Sequence, residues 1–240
     1  IAKTKNKMNL KGNIILFPCP IADGNISSLS AESVQLLHET TCFVVEKAKT
    51  ARHFIKATNH PIAISQLEIL EISDDKKEME DFLAQNLTEK NIGIISEAGC
   101  PGIADPGADV VAWAHKNQVR VIPQAGPSSI FMAMMSSGMN GQNFAFNGYL
   151  SNKKPELIQQ LKALEQKFQK NKQTQIWMET PYRNGFMTET IFQTLPGRTR
   201  LCIACDINAP TEEIRTMYID DWKKIKTDHL HKRPCIFLMG

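Results

Sequence analysis

The chain has 240 residues, with 28 Lys+Arg against 25 Asp+Glu and a formal charge of +3. Hydrophobic residues make up 42% and charged residues 22%, a globular balance that excludes disorder, and the length suits one large or two small domains at ~150 residues each. The mild basicity permits a nucleic-acid partner without demanding one, and no apolar run nears the ~18 residues of a membrane helix.

The opening stretch IAKTKNKMNLKG is basic and polar with no apolar core, so no secretory signal is read there, and residues 1–12 are expected to be a flexible segment. NIILFP then reads as a short strand ending at Pro18 and Pro20. Ser28 or Ser30 is positioned to cap a helix containing Val34 and Leu37. CFVVE reads as a buried strand. KKEMEDFLAQNL reads as a helix, with Met79, Phe82, Leu83 and Leu87 near helical spacing. IGIIS is a strand entering a Gly/Pro-rich loop, PGADVVAWAHKN a helix and VRVIP a strand. A second loop, QAGP, leads into SSIFMAMMSSG. Such alternation predicts βαβ units and a mainly parallel sheet. GMNGQN is the expected boundary, giving an N-terminal α/β domain over 13–140 and a C-terminal α/β domain over 141–240. Beyond it, FAFNGYL reads as a strand, and PELIQQLKALEQKF carries Leu157, Leu161, Leu164 and Phe168 on one helical stripe. QIWMET, RLCIACDI and CIFLMG are further strands. The expected architecture is two α/β domains with a cleft between them.

The six cysteines are scattered, as suits a reduced chain. Cys202 and Cys205 form a C-x-x-C inside a predicted strand, where residues three apart point to opposite faces, so no shared metal or redox role is expected. The histidines are isolated: His115 falls on a helix, while His229 and His231 are loop residues with no identifiable carboxylate partner. No metal is expected.

Two loops carry the chemistry. SEAGCPGIADPGADVV leaves a strand, turns through Gly99, Pro101, Gly102, Pro106 and Gly107, and enters a helix. Ligands of open α/β sheets bind beyond the carboxyl ends of strands, and glycine lets backbone approach them closely. Glu97, just past the strand, is placed to accept hydrogen bonds from a ribose or an amino group. Pattern alone supports a plain Gly/Pro turn equally well, and the spacing matches neither the dinucleotide fingerprint nor the phosphate-binding P-loop. In PQAGPSSIF, Ser128 and Ser129 sit at a helix start, where free N–H groups favour an anion; simple helix capping is the competing reading.

Taken in order, NIILFPCPIAD, SEAGCPGIADPG, VIPQAGPSS, FNGYL, ETPYR and ACDINAPTEEIRT resemble the class III S-adenosylmethionine-dependent methyltransferases, the tetrapyrrole methylase family. Within it they are nearest to the ribosomal RNA small subunit methyltransferase I branch. The resemblance covers about Asn13 to Gly240, and the Ser96–Gly107 match is its most specific part. It implies a two-domain tetrapyrrole-methylase-like α/β fold, with S-adenosyl-L-methionine in the cleft between the domains, in a cytoplasmic homodimer. Carried over by position, it implies donor contacts at Pro20 and Asp23, at Glu97, Ala98, Gly99 and Cys100, and at Gly126, Ser128 and Ser129. From the second domain it adds Met178, Thr180, Asn208, Ala209 and Pro234. The sequence departs from the branch at Glu97 (an aspartate there), Cys100 (a threonine) and Ala22 (a glycine). It also has Glu46, Lys47, Ala48 and Lys49 where the branch has E-D-T-R.

Methyl transfer from a sulfonium is an in-line displacement in which the protein chiefly positions the reactants. A ribose hydroxyl is a weak nucleophile that calls for a general base. Glu46, Glu179 and Asp206, each ending an apolar strand, are the candidates, with helix capping or ion pairing as the competing role for each. Arg183 is placed either to hold a substrate phosphate or to pair with Glu179. For an RNA acceptor, Lys47, Lys49, Arg52, Lys56, Lys153 and Lys154 offer a basic rim, unless they simply form solvated helix faces. Three readings follow. The first is methylation of ribosomal RNA, or of a small ribosomal subunit, at a ribose 2′-oxygen. The second is methylation of a tetrapyrrole-like or other small molecule, and the third is donor binding without catalysis. No membrane partner is expected.

Overall fold

The computed structural model describes residues 10–240; most of the segment expected to be flexible, residues 1–9, lies outside them. The chain divides into two compact units at Pro127 and Ser128. The division comes earlier than the 138–143 boundary expected from GMNGQN, because the helix Ser129–Ser136 packs against the last strand, Cys235–Met239.

The first unit alternates strand and helix: β1 (Ile14–Phe17), α1 (Ala31–His38), β2 (Cys42–Val45), α2 (Ala48–Ala57), β3 (Glu68–Glu71), α3 (Lys76–Asn86), β4 (Ile92–Ile95), α4 (Ala108–Lys116) and β5 (Val121–Pro123). Its five strands form one parallel sheet in the order β3-β2-β4-β1-β5. All of CFVV in β2 and IGII in β4 is buried, as a sheet covered on both faces requires. On one face Val44, Ile92 and Ile94 pack with Met79 and Leu83 of α3 and Val110 and Trp113 of α4. On the other, Phe17, Phe43 and Val45 pack with Leu37 of α1 and Phe54 and Ile55 of α2. Lys11 and Gly12 both donate their N–H to the Leu87 carbonyl at 2.9 Å, which ties the chain entry to this core.

Helix starts in this unit follow local chemistry where the sequence provides it. Ser30 accepts from the Ser33 N–H at 3.0 Å to cap α1, and Asp75 accepts from Lys77 and Glu78 to cap α3. No side chain of its own segment caps α2; the Ala48 N–H donates to Glu71 Oε2 of β3 at 2.8 Å instead. Because the sheet is parallel, the carboxyl ends of β1, β2, β4 and β5 share one edge.

The second unit holds α5 (Ser129–Ser136), β6 (Phe144–Tyr149), α6 (Lys154–Asn171), β7 (Thr174–Glu179), α7 (Asn184–Thr194), β8 (Arg200–Cys205), β9 (Glu213–Tyr218), α8 (Ile219–Trp222) and β10 (Cys235–Met239). Its sheet runs β6-β7-β10-β8-β9, parallel only between β6 and β7. Trp177 stacks on Phe237 at 5.9 Å, and the α6 stripe of Leu157, Leu161 and Leu164 joins them in the core. Cys235 lies opposite both Glu179 and Cys205, so the ends of β7 and β8 meet the start of β10. Of the C-x-x-C, Cys205 faces Cys235 in the core while Cys202 lies opposite Thr216 of β9; all six cysteines are free thiols.

Candidate functional site

In the first unit three loops are stitched together at the carboxyl edge of the sheet. Cys19, after β1, exchanges both backbone hydrogen bonds with Gly99, after β4, at 2.7 and 3.1 Å. The Cys19 thiol donates to the Ser96 carbonyl at 3.2 Å, and the Cys100 thiol reaches the Pro127 carbonyl at 3.5 Å. Gly99 has φ +70°, a conformation that costs any residue with a Cβ. A Cβ on Gly126 would stand 2.2 Å from the Pro18 ring, so only glycine lets the third loop lie against the first. Pro20, Glu97, Ala98, Gly99, Cys100 and Gly126 are therefore brought to one edge, and Asp23 stands exposed in the turn after Pro20.

The electrostatics of this edge are one-sided. Glu46, just past β2, accepts the Glu97 N–H at 2.9 Å, and Glu97 Oε1 accepts the Thr50 hydroxyl of α2 at 3.0 Å. Burial pushes the Asp105 carboxyl up to about 6; the charges of Glu46 and Glu97 add to the rise, and a hydrogen bond from Ser96 opposes it. Among the described residues none of these three carboxylates has an ion-pair partner. Sequence reasoning passed over Asp105, although it stands within the quoted ADPG. Burial, and secondarily Asp105, lift the Cys19 thiol to about 12, and burial raises Cys100 as well, so neither is a thiolate nucleophile. Among the described residues no group of three or more His, Cys, Asp or Glu is arranged to hold a metal ion.

In the second unit Ser128 occupies the N-cap position of α5, but its side chain makes no capping bond, contrary to the simple capping reading. The first-turn N–H groups of α5 are thus left for another acceptor. Met178 and Glu179 end β7 and Thr180 follows it, Asp206, Asn208 and Ala209 follow β8, and Pro234 precedes β10. The Asp206 N–H donates to the Pro234 carbonyl at 2.9 Å, which joins the last two segments.

Every carboxylate at this second edge is engaged. Glu179 is fully buried; Oε1 accepts the Thr180 N–H at 2.6 Å, and Oε2 lies 3.0 Å from Arg183 at an angle too poor for a hydrogen bond. Arg183 thus takes the pairing role of its two expected roles, and its guanidinium also donates to the Ser151 carbonyl. Asp206 Oδ2 accepts from Arg233 and from the Thr211 hydroxyl, both at 2.7 Å. Arg233 also lies 3.5 Å from Glu213, and the Asn208 N–H donates to Glu212. His229, read from sequence as lacking a carboxylate partner, sits 3.3 Å from Glu213 across the 206–234 turns.

No family model matches the chain. It is 32% identical over 190 residues to the ribosomal RNA small subunit methyltransferase I of Synechocystis, covering 79% of this chain and 64% of that protein. The proteins of the same name from Vibrio cholerae and Pseudomonas aeruginosa are 26% and 25% identical, over 89% and 95% of this chain and 72% and 79% of their own lengths. The chain thus spans just under two thirds of the Synechocystis protein. Among solved structures, the methyltransferase CobJ matches with a TM-score of 0.60 at 14% identity, covering 95% of this chain and 94% of that one. Uroporphyrin-III C-methyltransferase from Thermus thermophilus, complexed with S-adenosyl homocysteine, matches with a TM-score of 0.54 at 12% identity over 95% and 97%. These likenesses show the same two-domain α/β fold.

Proposed function

We propose that the chain, which has the two-domain α/β fold of the tetrapyrrole methylases, belongs to the ribosomal RNA small subunit methyltransferase I family and transfers a methyl group from S-adenosyl-L-methionine to a ribose 2′-oxygen of ribosomal RNA. One observation carries the donor half of the reading: three mutually repelling carboxylates, Glu46, Glu97 and Asp105, share the loop edge of the first sheet with no ion-pair partner among the described residues. A sulfonium donor brings the missing positive charge, and opposite charge nearby favours the ionised carboxyl. The uncapped first turn of α5 suits the donor's carboxylate. The donor supplies an activated methyl group on a positively charged sulfur; this chain's residues bind, orient and move protons.

Glu97 holds a polar group of the donor, and the Glu46 carboxylate fixes Glu97 through its backbone N–H. Asp105, with its carboxyl near 6, is ionised at neutral pH yet basic enough to take the proton from a hydroxyl as the oxygen attacks. This ranks Asp105 above Glu179 and Asp206 as the general base, since arginines already hold those two. Met178, Thr180, Asn208, Ala209 and Pro234 remain the second unit's donor contacts in this reading.

Action on a ribosomal subunit implies the cytoplasm, and a homodimer belongs to the same reading. Phe131 and Met135, one turn apart on α5 and 50% and 84% exposed, supply apolar surface for it. No helix among the described residues is long and apolar enough to cross a membrane.

The test is incubation with methyl-labelled donor and small ribosomal subunits, followed by alkaline hydrolysis of the RNA. The reading expects label in alkali-resistant dinucleotides, because 2′-O-methylation removes the hydroxyl that attacks the phosphate. Label on a base, or none on RNA, contradicts it.

A further inference from the structure

α2 carries Lys49, Arg52, His53 and Lys56, a spacing of i, i+3, i+4 and i+7 that puts all four on one helical face. They form one wall of a cavity of ≈ 930 Å³ whose other wall is the chain over residues 62–65. No acidic residue lines it, and among the described residues no carboxylate lies within ion-pair distance of Lys49, Arg52 or Lys56. Other basic residues named from the sequence are spent elsewhere: Lys47 pairs with Glu71, Lys153 with Glu156, and Lys154 with Glu189.

The groove is preformed. His60 Nε2 lies 3.2 Å from the Leu37 carbonyl and 3.1 Å from that of Thr40, while Nδ1 receives the Ile62 N–H at 3.1 Å. That arrangement holds the second wall in place. The groove also leads to the candidate site. Thr50 lines it and donates its hydroxyl to Glu97 at 3.0 Å. Lys49 to Lys56 spans about 10 Å along the helix, within reach of neighbouring phosphates of one strand.

We propose that this groove between α2 and residues 62–65 is where the acceptor RNA docks, with Lys49, Arg52 and Lys56 on consecutive phosphates and the strand led toward Glu97. The inference rests on the RNA-methylation reading. Apolar Ile62 and Ile64 in the opposite wall leave the charge contacts on α2, so docking follows the backbone rather than base sequence.

The experiment measures binding of a fluorescein-labelled ribosomal RNA stem-loop by anisotropy between ~50 and ~200 mM KCl. It compares wild type with the triple variant Lys49→Gln/Arg52→Gln/Lys56→Gln and with Lys153→Gln/Lys154→Gln. Donor affinity and thermal midpoint are measured on each protein. The expected result is a log–log salt slope shallower by about 2 in the triple variant, and about 30-fold weaker binding at low salt, with donor affinity and midpoint unchanged. The double variant should bind as wild type does. Should the triple variant keep the wild-type affinity and slope while wild type methylates RNA, the groove assignment is wrong and the methylation reading stands. A wild-type protein that binds donor but no RNA overturns both.

Discussion

The two loop edges contrast in how they treat negative charge. At the loop edge of the second unit each buried or half-buried carboxylate has a cation: Glu179 has Arg183, Asp206 has Arg233, and Glu213 has Arg215, Arg233 and His229. In the first unit Glu46, Glu97 and Asp105 face one another with no cation paired to them among the described residues, and Asp105 carries the cost in its raised pKa. The second edge is electrostatically complete by itself, a scaffold that fixes the turns after β8 and before β10. In the proposed function a positive ligand completes the first edge. Carboxyls perturbed by burial and by neighbouring like charge cluster at functional sites.

Substitutions separate the two edges. Arg233→Ala strips the cation from Asp206, while Glu213 keeps Arg215 and His229, at a site where the arginine is 21% exposed, and should cost about 3 kcal/mol, read as a fall in thermal midpoint. Gly126→Ala forces a Cβ into the Pro18 ring and should cost about 2 kcal/mol while loosening the donor loops, so both midpoint and donor affinity fall. Glu97→Gln should leave the midpoint unchanged or raised, yet weaken the donor about 10-fold by calorimetry, worth ~1.4 kcal/mol. If it instead lowered the midpoint as Arg233→Ala does, the contrast between the edges would collapse.

The smallest expected effect concerns pH. Asp105 binds its proton more tightly folded, near 6, than at its ordinary value of 3.8, so its charge destabilises the fold above about pH 6 and not below about pH 4. Asp105→Asn should therefore stabilise the protein at pH 8 by about 1 kcal/mol, reduced from the full value because water screens a half-exposed group. The gain should vanish by about pH 4. Denaturant titrations at the two pH values check this; a gain that ignores pH would mean the carboxyl is not strained.

Much of this was legible in the sequence. The runs CFVV and IGII announced doubly covered strands, and the α6 stripe of Leu157, Leu161 and Leu164 announced its buried face. The loops after β1, β4 and β5 were found because glycine and proline cluster where backbones must approach closely, as Gly126 does at Pro18. Other elements were hidden because their signals are tertiary. The start of α2 is capped by Glu71, which stands on β3, so no local residue betrays it. The strands β3 and β9 are edge strands with exposed glutamates and arginine in place of an apolar run. Asp105 escaped notice because its importance lies in burial and in the neighbourhood of Glu46, a carboxylate from a distant segment, beside Glu97 of its own loop. The partners of Glu179 and Asp206 differ in the same way: Arg183 is four residues from Glu179 and was foreseen, whereas Arg233 is 27 residues from Asp206 and was not.

The most direct test compares S-adenosylmethionine with S-adenosylhomocysteine by calorimetry at pH 5, 6 and 7.5. The two ligands share every polar group and differ in the methyl group and the positive charge on sulfur. If the carboxylates of the first edge face that charge, the preference for the sulfonium should grow as Asp105 ionises through about 6, and the growth should disappear in Asp105→Asn. A preference that stays flat from pH 5 to 7.5, or no binding of either ligand at millimolar concentration, would contradict the account.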